Sequence, residues 1–329
     1  MDEQPDEAEV LSWFDRLSNW GRWGRDDQAG TLNLIKPEHR VAAAQLVSEG
    51  RTVSCARDIV TAYGHPENSA QMYFVSTGQG VDPVEGVPAT AFGAGDVAAA
   101  VEHVGLVFHG LAVTHIDSPS HLFWKGRMYN DRPAGLVTSE FGARWCAVTE
   151  MANGVVGRGV LLDVPRAEGV DALEPSRAVT PKELARCESS QNTTVGEGDI
   201  VLLRTGRWHA SNAGDAESRS VAEQNASMME QGRIPGWHAA CMPWLHERGV
   251  AMIGADVPQD VAPPTYDGMT GPIHTLGLVA MGMPLIDNCD LEELAATCAE
   301  LGRWEFQIVV TPLRIAGATG SPVNPVAVF

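Results

Sequence analysis

Apolar positions along the chain fall into short runs with two spacings. Runs spaced three and four apart fit helices; continuous or alternating runs of four to eight fit strands. Val10 to Trp20 has the helical spacing, and so does Lys36 to Ser48, with Pro37 near its first turn and Gly50 as its stop. Thr180-Pro181-Lys182-Glu183 is a capping box with proline at the first helical position, opening a helix to about Glu188. Trp237 to Glu247 reads as a helix, His274 to Leu278 begins another, and Asp290 with Glu293 caps a last one that ends near Gly302. Strands are expected at Val53–Ala62, Leu106–Ile116, Arg144–Glu150, Gly159–Val164, Asp199–Arg204, Gly249–Asp256 and Phe306–Leu313.

Strands and helices mixed without strict alternation predict an α/β or mixed α+β domain. No repeat period and no break in composition divides the chain, so residues 1–329 read as one domain. Two stretches interrupt it. Residues 64–95 are rich in glycine, proline and small polar residues, as in a lid or binding loop, and residues 208–233 form a polar surface insertion. Gly78 and Gly80 do not lie between a strand and a helix, so they are no phosphate loop. The Gly- and Trp-rich segment Trp20–Asn33 reads as a loop whose tryptophans, Trp20 and Trp23, either pin it to the core or line an aromatic pocket.

Composition narrows the partners. A formal net charge of −19 repels nucleic acid and anionic membranes. Part of it lies in an acidic tail, residues 1–9. No apolar stretch approaches the roughly 18 residues a membrane helix needs. The first residues are acidic rather than basic-then-apolar, so a cytoplasmic protein acting on a small molecule is expected. Six cysteines without a C-x-x-C pair fit reduced, buried thiols.

The candidate chemistry is concentrated in FHGLAVTHIDSPSH, which places His109, His115, Asp117 and His121 within thirteen residues. If Leu106–Ile116 is a strand, His109, His115 and Asp117 share one face, because side chains alternate. Pro119 stops the ladder and His121 returns from the following turn. Imidazoles and a carboxylate at a strand end suit a divalent cation of the zinc or manganese type. Satisfaction by backbone and water accounts for one such histidine more readily than for three with an aspartate in phase. His238 and His246 read as partly exposed polar residues.

Thr114-His115-Ile116-Asp117-Ser118-Pro119-Ser120-His121 resembles the signature of the metal-dependent cyclase hydrolases, the group of bacterial kynurenine formamidase and isatin hydrolase, which runs His-x-Gly-Thr-His-x-Asp-x-Pro-x-His. Trp20–Gly24, Gly30–Asn33, Tyr129-Asn130, Arg158–Asp163 and Gly198–Gly206 extend the likeness over most of the chain. The resemblance implies a swivelling β/β/α fold, a small barrel-like sheet flanked by helices, and a homodimer or higher homo-oligomer. It also implies metal ligands at His115, Asp117, His274 and Asp287, and a proton-transferring His121. Leu111 and Val113 replace the first histidine and the glycine of the signature, and Asp287 stands where the family has glutamate. His109, two residues before Leu111, is the candidate to take over as ligand or as acid and base. Trp23, Trp124 and Tyr129 are the candidates for substrate contact.

The first expectation is therefore hydrolysis of a small amide, formamide or lactam, aromatic in view of the tryptophans, by metal-activated water. A metal-free or metal-altered cyclase, dehydratase or lyase on the same scaffold is the second, favoured by Leu111. A non-catalytic binding protein is the third.

Overall fold

The computed structural model describes residues 4–61, 70–76, 100–209 and 232–329. Most of the two expected insertions, 64–95 and 208–233, and the pair Gly78 and Gly80 lie outside the described residues. The chain divides into two units: residues 1–57 with 114–329, and Asp58–Val113.

The larger unit is built on one nine-stranded mixed sheet: β1 (Thr52–Ser54), β2 (His115–Asp117), β3 (Val155–Asp163), β4 (Ile200–Arg204), β5 (Met252–Ala255), β6 (Leu285–Asp287), β7 (Glu305–Val310), β8 (Gly320–Pro322) and β9 (Val326–Val328). In space the order is β1-β9-β7-β3-β4-β5-β6-β2-β8. The run β3-β4-β5-β6 is parallel, and β2 closes onto β6 antiparallel. Buried on both faces, these central strands are near-continuous runs of Val, Ile and Leu.

Alternation sorts the strand residues into two layers. Val160, Leu162, Val201, Leu203, Ile253 and Leu285 enter one core, which also buries α1 (Glu7–Arg16), α4 (Cys241–Glu247) and the π-helical turn Thr275–Met281. Leu161, Ile200, Leu202, Met252, Ile116 and Ile286 enter the other, with α5 (Glu292–Leu301). Helix α2 is Pro37–Ala44, and α3 (Pro181–Gln191) carries the expected capping box between Thr180 and Glu183. The last helix ends at Gly302 in the left-handed conformation, and Asp290 accepts the Glu292 N–H at its start. The mixed α/β class expected from the pattern is thus the one observed.

Three strand expectations are corrected. Leu106–Ile116 is not one strand: a strand ends at Leu106, residues 107–114 are irregular, and β2 begins at His115. Of the expected strand Val53–Ala62, only Val53 and Ser54 are extended in β1 among the described residues. Arg144–Glu150 turns instead of extending, with Cys146 at φ +51° and a 3-10 turn over Val148–Met151, because Gln28 takes the Cys146 N–H that a ladder would need.

The Trp20–Asn33 loop is pinned. Asn130 donates to the carbonyls of Gly24, Arg25 and Asp27, and the Trp20 indole donates to Val279 O. Gly30 meets Gly282 so closely that a Cβ on Gly30 would stand 1.9 Å from the Gly282 carbonyl oxygen. The smaller unit contains an antiparallel strand pair, Ala70–Ser76 with Val101–Leu106, and His109 and Leu111 follow it in sequence. Among the described residues no helix is long and apolar enough to cross a membrane.

Candidate metal and catalytic site

The antiparallel register of β2 on β6 sets Asp287 opposite His115 and Leu285 opposite Asp117. Ile116 and Ile286 point into the α5 layer, so His115, Asp117 and Asp287 point the other way, with Leu285. Pro272–His274 forms a short helical turn that leads into the π-helical segment, buried in that same layer. Two strand ends and one helical turn therefore deliver four side chains to one point.

His115 Nε2 lies 3.5 Å from Asp117 Oδ1 and 3.9 Å from Asp287 Oδ2. His274 Nε2 lies 3.5 Å from Asp287 Oδ2 and 3.8 Å from Asp117 Oδ2. His115, Asp117 and Asp287 are buried. These separations are long for hydrogen bonds. They match donors that share an ion, since ligands held tetrahedrally at about 2.1 Å stand about 3.4 Å apart. Ligand atoms of Asp117, His274 and Asp287 all lie within 4.8 Å of one another. Two imidazoles and two carboxylates form a nitrogen–oxygen donor set that fits zinc or manganese. Asp287 reaches the cluster despite being one methylene shorter than the family's glutamate. Burial opposes charge on His274, but the Asp287 and Asp260 carboxylates outweigh it and hold the imidazole well above its usual range.

His121 stands at the open side. The turn Ser118–His121 closes through the His121 N–H on Ser118 O, while Ser118 donates from both backbone and hydroxyl to Thr319 O. His121 Nε2 is 3.7 Å from Asp117 Oδ2, and its side chain is 27% exposed, against 1% for Asp117. It is the imidazole of the group that solvent or a small molecule reaches most readily.

Two neighbours were not foreseen. Asp260 Oδ2 lies 2.6 Å from His274 Nδ1, and Gln259 Nε2 donates to Asp287 Oδ1 at 2.9 Å. Both follow β5 in a proline-containing loop, where no periodicity marks a residue. The available signal was positional: such loops lie at the carboxyl ends of parallel strands, where α/β sheets bind ligands.

The expected substrate contacts Tyr129 and Trp23 serve other parts of the fold. Tyr129 is fully buried, donates to Asp27 Oδ2 and packs on Gly282, so it serves the Trp20–Asn33 loop. Trp23 packs against the α5 layer, opposite to the cluster, under the Arg22 guanidinium. Trp124 lines a groove of about 250 Å³ with Leu11, Phe14 and Trp20. His109 belongs to the smaller unit. His238, expected to be partly exposed, is buried against the Tyr266 hydroxyl, and burial depresses its pKa; His246 is partly exposed. All six cysteines are buried and free.

The cyclase family model ("Putative cyclase") matches residues 42–259. A stretch of 93 residues is 31% identical to kynurenine formamidase of Bacillus cereus, covering 28% of this chain and 39% of that protein. The chain thus spans well under half the length of this curated relative. The crystal structure of a novel cyclase superposes with a TM-score of 0.80 at 29% identity, over 96% of this chain and 99% of the other. Isatin hydrolase A from Labrenzia aggregata, solved with benzyl benzoate, gives a TM-score of 0.54 at 20% identity, covering 87% of this chain and 94% of its own. The Ralstonia solanacearum enzyme gives 0.54 at 18%, covering 84% and 91%. At those identities the isatin hydrolases share the fold.

Proposed function

Since the chain belongs to the cyclase family, we propose that it is a metal-dependent hydrolase of a small amide, an aromatic formamide or lactam, with His115, Asp117, His274 and Asp287 as ligands. The observation that carries this reading is the convergence of those four side chains, from β2, β6 and the 272–274 turn, at separations of 3.5 to 3.9 Å. The likeness to a kynurenine formamidase supports the amide class.

Bound there, zinc or manganese supplies a Lewis acid for the amide carbonyl and makes water acidic enough to attack near neutral pH. The protein's own groups do the rest. His121 Nε2 takes the proton from the attacking water and returns it to the leaving nitrogen, which must depart as an amine. Asp117 Oδ2, facing that nitrogen at 3.7 Å, favours the protonated imidazole between the two transfers. Trp124, three residues past His121 and partly exposed, is the candidate contact for an aromatic substrate.

The test is turnover of an N-formylated arylamine and of isatin, with the protein as purified, after chelator treatment and after metal is restored. Loss on stripping and recovery on reconstitution are expected. Full activity in demonstrably metal-free protein would overturn the proposal and favour acid–base chemistry by the side chains alone.

A further inference from the structure

We infer that Gln259 and Asp260 are a positioning pair that selects which atom of Asp287 and which nitrogen of His274 faces the bound cation, and so sets the affinity of the site. This rests on the ligand assignment above, and it assigns a role to residues outside the ligand set.

The selection is visible atom by atom. Asp260 Oδ1 accepts the Ile273 N–H at 2.7 Å, and Oδ2 accepts the His274 N–H at 3.3 Å and stands 2.6 Å from His274 Nδ1. One carboxylate thus closes the backbone turn and holds the ring. A carboxylate at Nδ1 keeps the proton there, which leaves the lone pair on Nε2. Nε2 is the nitrogen that faces Asp287 Oδ2 and Asp117 Oδ2. Gln259 does the corresponding work on Asp287. Its amide nitrogen donates to Ile286 O at 2.8 Å and to Asp287 Oδ1 at 2.9 Å, which uses both of its hydrogens. Oδ1 is thereby occupied, and Oδ2 is the oxygen turned toward His115 and His274. A neutral amide fixes Asp287 without cancelling its charge, as lysine or arginine would.

The backbone is built for this. Gln259 is fully buried at φ +47°, a conformation that costs about 1 kcal/mol or more outside glycine and persists where the surroundings impose it. Here they do. The Gln259 N–H donates to Val257 O, the Asp260 N–H to Pro258 O, and Gln259 O accepts the Trp237 N–H. Two adjacent residues of one strained turn therefore hold ligands that are thirteen positions apart in sequence, on a helical turn and on a strand.

The test compares the wild type with Gln259→Met and Asp260→Asn, both close in volume to the native side chains. Zinc affinity is measured by competition with a chromophoric chelator. The His274 ring is followed by nitrogen-15 NMR in the zinc-loaded protein, where the one remaining ring proton reports which nitrogen faces the cation. Zinc binding is expected to weaken 10- to 100-fold in each variant. The wild-type His274 ring should carry its proton on Nδ1, and Asp260→Asn should lose that preference. Affinities within twofold of wild type, or a wild-type ring protonated on Nε2 alone, would overturn the inference. The NMR observation on the wild type decides the Asp260 role even if a variant does not fold. Wild-type protein that takes up no zinc would overturn the ligand assignment as well, so the two failures are distinguishable. Lower melting temperatures in metal-free variants with unchanged zinc affinity would show a merely structural role and also count against it.

Discussion

Replacing Asp117 by asparagine probes the centre of the cluster, because its two oxygens face three imidazoles: Oδ1 faces His115, and Oδ2 faces His121 and His274. The exchange keeps size and removes the charge. Loss of a charged ligand from such a set is expected to cost at least a factor of about 100 in affinity, or about 2.7 kcal/mol at 1.36 kcal/mol per decade. With metal at about 1,000 times the wild-type dissociation constant, binding stabilises the folded protein by about 4.1 kcal/mol; at the same concentration the variant gains about 1.4 kcal/mol. The unfolding entropy of a 329-residue chain is about 0.7 kcal/mol/K, from about 2.1 cal/mol/K per residue. Metal should therefore raise the melting temperature by about 6 °C in the wild type and about 2 °C in Asp117→Asn. Without metal the variant should melt no lower than wild type, since a buried carboxylate disfavours folding unless it is compensated. Thermal melts of chelator-stripped protein, repeated across a zinc titration, give both numbers. An equal metal-induced rise in the two proteins would refute Asp117 as a ligand.

Three further outcomes are expected. His121→Ala should keep its metal, by elemental analysis, and lose turnover by about 10²- to 10⁴-fold; full activity would remove His121 from the mechanism. Gly30→Ala should lower the urea midpoint by the equivalent of about 2 to 4 kcal/mol, because φ is +57° and the added Cβ meets the Gly282 carbonyl; an unchanged midpoint would show that the loop yields. Burial raises the Asp199 carboxyl from 3.8 to about 6 against the pull of Arg158, so the folded state keeps this proton where the unfolded chain has released it. That contribution to stability falls as pH rises between about 4 and about 6, by up to about 3 kcal/mol, and is constant outside the window. In Asp199→Asn melts followed over that range, this part of the slope should vanish; an unchanged slope would place the titration elsewhere.

The sequence carries the site in pieces of unequal clarity. His115 and Asp117 are legible because their alternation is local and Pro119 ends the strand two residues later. His274 and Asp287 are not, since the β2–β6 pairing joins residues some 170 positions apart and only family likeness pointed to them. Gln259 and Asp260 escaped because a glutamine in a left-handed turn leaves no periodic trace. The parallel core strands were readable from their Val, Ile and Leu runs. The strand read through Leu106–Ile116 was too long, because apolar continuity hides the irregular stretch at 107–114, and with it went the local argument that His109 shares a face with His115. Tyr129 shows the opposite error: an aromatic residue inside a family-like segment proved to be a buried anchor for a loop.

The most direct measurement is anomalous diffraction at the zinc and manganese edges from crystals of the full chain grown with each metal. A peak is predicted within about 2.0 to 2.2 Å of His115 Nε2, His274 Nε2 and one oxygen each of Asp117 and Asp287. A peak elsewhere, or none between these side chains at saturating metal, would contradict the assignment from which the proposed chemistry follows.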